Sequence, residues 1–78
     1  MRKKEERLLI TFHTTADAIR MERECEKRGI AGRLIPVPGS ISAGCGMCWC
    51  TALEEREHIL AFLEELGLQK EAVHICFI

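Results

Sequence analysis

The chain has 78 residues with a formal net charge of −1, a length that allows one domain burying roughly 60–65% of its unfolded surface, with no room for an enclosed multi-residue active site. The charge balance excludes a general nucleic-acid footprint, which needs a concentrated basic face; Arg2, Lys3, Lys4 and Arg7 are interrupted by Glu5 and Glu6. No apolar stretch approaches the ~20 residues of a membrane span and the amino end lacks a signal-type apolar core, so the expectation is a cytoplasmic protein with neither a nucleic-acid nor a membrane partner.

Residues 1–6 are read as a flexible lead into a single domain over 1–78. Leu8-Leu9-Ile10-Thr11-Phe12 is a short apolar and β-branched run, which predicts a strand. Thr14 or Thr15 can cap the free amides of a helix, and Asp17 in its first turn carries the favourable sign. That helix runs through Ala18, Ile19, Met21, Glu22 and Cys25 to Lys27-Arg28, and Gly29 ends it. Ala18, Met21 and Cys25 share its apolar face, which makes Cys25 a buried thiol. Ala31 to Val37 is a second strand. Pro36 and Pro38 cannot donate to a ladder, so it belongs at the sheet edge. Gly39 to Gly44 reads as a flexible connection, and Met47 to Ala52 as a third strand. Glu54 and Glu55 open a second helix whose apolar face is Leu53, Ile59, Leu60, Leu63 and Leu66. Gly67 stops it, and Ala72 to Ile78 is the last strand.

The order β-α-β-β-α-β predicts an α/β (α+β) domain of ferredoxin-like type. Two interleaved, right-handed split β-α-β crossovers form a four-stranded antiparallel sheet in the order 4-1-3-2, with both helices on one face. The other face is left to water, a ligand or a second copy in a homodimer. This topology brings His13, Thr14, Thr15 and Cys45 to one end of the domain. Free amides at a helix start favour an anion there, a thiolate included.

Five cysteines in such a chain are thiols, metal ligands or redox groups before they are a disulfide framework. Cys45, Cys48 and Cys50 form C-x-x-C-x-C in a cysteine-rich hairpin segment. A structural zinc site needs a fourth ligand, from His13, Cys25, His74 or Cys76. An iron–sulfur cluster has the same shortage unless two chains share ligands. Strand alternation puts Cys48, Cys50 and Ala52 on one side of the third strand and Met47, Trp49 and Thr51 on the other. The small thiols are expected to fill core space against the helices, leaving Trp49 and Met47 as a packing or dimer surface on the far face. Cys45 differs, because the flanking Gly44 and Gly46 permit a bend that presents a reactive sulfur. A Cys45–His13 nucleophile pair lacks a third, orienting group. His74 and Cys76 share a strand face, and His58 sits solvated in the charged run 54–57. Nothing resembles a phosphate loop, a nucleotide fingerprint or a paired-carboxylate site.

The segments Leu9-Ile10-Thr11-Phe12-His13-Thr14-Thr15-Ala16-Asp17-Ala18, Gly29-Ile30-Ala31-Gly32-Arg33-Leu34-Ile35-Pro36-Val37-Pro38 and Ile41-Ser42-Ala43-Gly44-Cys45-Gly46 closely resemble the small bacterial family of selenium/sulfur carrier proteins, formerly a domain of unknown function. The likeness is strong over the first two thirds of the chain and looser beyond. It implies that Cys45 bears the sulfur or selenium, with Ser42 leading into it and Gly46 following. A carrier of this kind accepts the atom as a persulfide or selenosulfide and passes it to a partner. It is not an enzyme on its own and needs no cofactor, and its partners are chalcogen donor and acceptor proteins. A lowered thiol pKa raises the thiolate fraction, whereas too low a value reduces nucleophilicity. Carrier or thiol relay is therefore the first expectation. The alternatives are a zinc or iron–sulfur module using Cys45, Cys48, Cys50 and Cys76, a thiol-dependent enzyme, and a non-catalytic interaction domain. Carrier and metal module call for opposite geometries: one presented sulfur against at least three converging ones.

Overall fold

Alternation and capping decide where each element begins and ends. In a computed structural model, which describes residues 5–39, 41 and 46–77, these are β1 (Glu6–Thr11), α1 (Thr15–Arg28), β2 (Arg33–Pro36), β3 (Met47–Ala52), a 3-10 turn (Leu53–Glu55), α2 (Arg56–Leu66) and β4 (Ala72–Phe77). The sheet runs β2-β3-β1-β4 with every neighbouring pair antiparallel, which is the order 4-1-3-2 read from the opposite edge. The fold is ferredoxin-like, and β2 lies at the edge as its prolines require.

Local chemistry accounts for the helix bounds. The Thr14 hydroxyl accepts the Asp17 N–H at 3.2 Å, satisfying one of the amides that a helix start leaves over. At the other end of α1 the Ile30 N–H closes back on the Cys25 carbonyl at 2.9 Å, past the turn at Gly29, and Leu68 does the same to Leu63 after α2 at 3.0 Å. Three boundaries differ from expectation. β1 starts at Glu6, which already pairs with Phe77. β2 is confined to Arg33–Pro36, and a 3-10 turn precedes α2. Phe62, absent from the expected apolar face of α2, is buried there beside Ile59 and Leu63.

Both helices cover the face of the sheet formed by Leu8, Ile10 and Trp49. Ala18, Met21 and Cys25 of α1 and Ile59, Phe62 and Leu63 of α2 complete that core, with Met47 and Val73 packed at its margin. The helices are also tied to each other. Arg20 donates to the Leu66 carbonyl at 3.0 Å, and the Arg28 guanidinium lies 4.9 Å from the Phe62 ring centroid.

β3 therefore faces the opposite way from expectation. Trp49, opposite Ile10, points into the helix-side core, whereas Cys48 and Cys50 join Leu9 in a separate cluster on the other face. Alternation sorted these residues into the right two sets, but the small size of Ala52 was a poor guide to which set goes inside. Burying an indole removes far more apolar surface from water than burying two thiols, so Trp49 decides the orientation. Gly32 makes the room: a Cβ there would lie 2.6 Å from Trp49 Nε1. The buried Trp49 N–H has no hydrogen-bond partner among the described residues.

The helix-free face is not open across its centre. Ile35, Val37, Ile41 and Cys76 pack against Leu9, Cys48 and Cys50, so the connection leaving β2 folds back over the sheet. Leu9 and Cys48 are wholly buried beneath it. The Val37 N–H donates to the Gly46 carbonyl at 3.1 Å, which holds the two ends of that connection together.

Candidate functional site

Register places four element ends together. Thr11 at the end of β1 lies opposite Cys48 and Ala72, near the starts of β3 and β4, and Pro36 at the end of β2 lies opposite Met47. Because α1 follows β1 after three residues, its amino end sits at this end too.

Cys45 lies outside the described residues, as do Ser42 and Gly44, but the residues flanking them are described. On one side Ile41 packs on the Leu9–Cys48–Cys50 cluster, and its N–H donates to the Pro38 carbonyl at 3.0 Å. On the other Gly46 is exposed with φ 75°, a left-handed conformation that a side chain disfavours. Both flanks thus bring the chain to the β3 start, on the face where Cys48 and Cys50 lie.

His13 and Thr15 are exposed at the start of α1. Thr14 is exposed as well, but its hydroxyl already serves as the helix cap. The Thr15 and Ala16 amides precede the helical ladder and remain the donors that α1 can turn toward an anion.

The other thiols are spread over the fold. Cys25 lies on the helix side of the sheet and Cys48 and Cys50 on the opposite side, so Cys25 cannot join them around one ion. Burial, with Glu24 adding its negative charge, pushes the Cys25 thiol up to about 11. Cys76 shares the face of Cys48 and Cys50 but sits on β4 opposite Arg7, with β1 between it and β3. His74 lies on that same face, opposite Leu9. Among the described residues no group of three or more His, Cys, Asp or Glu side chains is arranged to hold a metal ion. His58 is solvent-exposed as expected, with its Nδ1 3.1 Å from Glu55 Oε2. No helix among the described residues is long and apolar enough to cross a membrane.

The family model described as "Putative Se/S carrier protein-like" matches residues 7–75. The chain belongs to this family. The match runs from β1 into β4, and so takes in the second helix and most of the last strand, where the likeness of the sequence segments is looser. No curated protein and no solved structure matches the chain.

Sequence reasoning overlooked Arg7 and Arg33 beside Cys50. Arg33 stands directly opposite Cys50, and Arg7 lies two residues from its other partner, Leu9, on the same face. Strand parity could have paired them, but only with the register of β2 against β3 in hand.

Proposed function

We propose that this protein is a sulfur or selenium carrier that accepts the atom on Cys45 and passes it to a partner protein. Membership of the Se/S carrier-like family over residues 7–75 carries the reading. The described flanks of Cys45 support it: a left-handed, exposed Gly46 on one side and Ile41 anchored on the sheet on the other.

The transfer needs no oxidant. The Cys45 thiolate attacks the terminal sulfur of a donor persulfide, the donor's S–S bond breaks, and the donor leaves as a thiolate. Cys45 then carries the sulfur as its own persulfide, and an acceptor nucleophile reverses the step. Helix amides at Thr15 and Ala16, together with His13, are the groups at this end suited to stabilising the thiolate in both directions.

The test is the intact mass of anaerobically purified protein under native and denaturing conditions, beside Cys45→Ser. One added sulfur or selenium atom, released by reductant and missing from Cys45→Ser, is the expected result. A zinc or iron mass held only in the native state and dependent on several cysteines would replace the carrier with a metal module.

A further inference from the structure

At the end of the sheet remote from Gly46, where β1 and β2 start and β3 ends, there is a cleft of about 500 Å³ lined by Glu5, Arg7, Gly32, Arg33, Cys50 and Ala52 among others. Its size suits a small molecule. Its described lining combines the small residues Gly32 and Ala52 with three long side chains, Arg7, Arg33 and Glu5.

Charge in this cleft favours an anion. Among the described residues two guanidiniums face one carboxylate, that of Glu5, which is 64% exposed and 3.6 Å from Arg7, a surface pair that water screens. Arg33 has no carboxylate partner among the described residues. Between them lies Cys50, on the strand position opposite Arg33 and buried but for 6% of its surface. Cationic neighbours attract anionic reactants.

We propose that this cleft is a second thiol site, in which Arg7 and Arg33 receive the carboxylates of a low-mass anionic disulfide and Cys50 undergoes exchange with it. The Cys50 thiol loses its proton to solvent and attacks one sulfur of the disulfide. A new S–S bond forms to that half, the original S–S bond breaks, and the other half departs as a thiolate that takes a proton from water. The exchange is distinct from chalcogen loading and does not depend on Cys45.

The probe is oxidised glutathione, added to the reduced full chain and to Cys45→Ser, with the neutral hydroxyethyl disulfide as control and the adduct located by peptide mass. The expected result is a mixed disulfide on Cys50 in both proteins. Arg33→Gln should slow its formation from oxidised glutathione about tenfold while leaving the hydroxyethyl disulfide reaction within about twofold, and Arg33→Lys should restore much of the rate. Arg33 is exposed, so these variants keep the fold, which circular dichroism verifies. The proposal is overturned if Cys50 stays unmodified while other cysteines react. It is equally overturned if Arg33→Gln slows both disulfides alike or neither. Loss of the carrier reading leaves this result untouched, because the Cys50 adduct is scored in Cys45→Ser as well.

Discussion

Replacing Gly32 with alanine sets a new methyl group against the one tryptophan of the chain. Its Cβ would stand 2.6 Å from Trp49 Nε1 and 2.7 Å from both Cε2 and Cζ2, at a φ of +133° that L residues rarely adopt. Trp49 is 2% exposed and wedged in the helix-side core, so the ring has nowhere to retreat without displacing its neighbours. Overpacking of this kind costs about 1–3 kcal/mol, and the backbone conformation adds about 1–2 kcal/mol. A domain of this length has roughly 4–12 kcal/mol of stability in all, so Gly32→Ala should remove a large share. The fall in Tm is then on the order of 10–30 °C. Urea and thermal unfolding followed by Trp49 fluorescence read both the stability and the environment of the ring. A Gly32→Ala protein that melts within about 3 °C of the parent, with unchanged emission, would refute the close approach and with it the inward orientation of Trp49.

Cys25, with its thiol pushed from 9.0 to about 11, should alkylate at pH 8 about a hundredfold more slowly than in urea-unfolded chain; equal rates would mean that it is not buried as described. Because the folded state holds the Cys25 proton more tightly than the unfolded one, its contribution to stability is complete below pH 9.0 and is lost as pH rises toward about 11. The loss amounts to about 2–3 kcal/mol, read as the difference in urea midpoints against Cys25→Ala across that range, and a constant difference would contradict it. Thr14→Ala removes the cap on the Asp17 amide and should cost about 1 kcal/mol in a urea melt, with Thr14→Ser recovering most of it. No change in Thr14→Ala would mean that water serves that amide equally well.

Much of the fold is written in local signals. Thr14 with Asp17, Gly29 and Gly67 delimit the helices, the prolines put β2 at an edge, and the run Met47–Ala52 is a strand with the bounds expected of it. These features depend on backbone chemistry within a few residues, so the amino-acid order alone determines them, and the βαββαβ order restricts the sheet to its observed arrangement. Cys45 too stands out locally, as the cysteine set between two glycines.

The direction of β3 is another matter. A period of two divides Cys48 and Cys50 from Met47 and Trp49 without saying which pair meets the helices, because the two assignments are equivalent along the strand itself. Only the competition for buried area across the whole domain selects Trp49, with Gly32 clearing space from a segment seventeen positions earlier in the chain. The same holds for Val37 and Ile41 lying over Leu9 and Cys48, and for Arg33 standing opposite Cys50. Local sequence set the elements and their order, and it singled out Cys45 as the cysteine between two glycines. Tertiary structure decided which thiols share a face, which are sealed in the core and which meet arginine, since those relations are set by contacts between strands that no local pattern specifies.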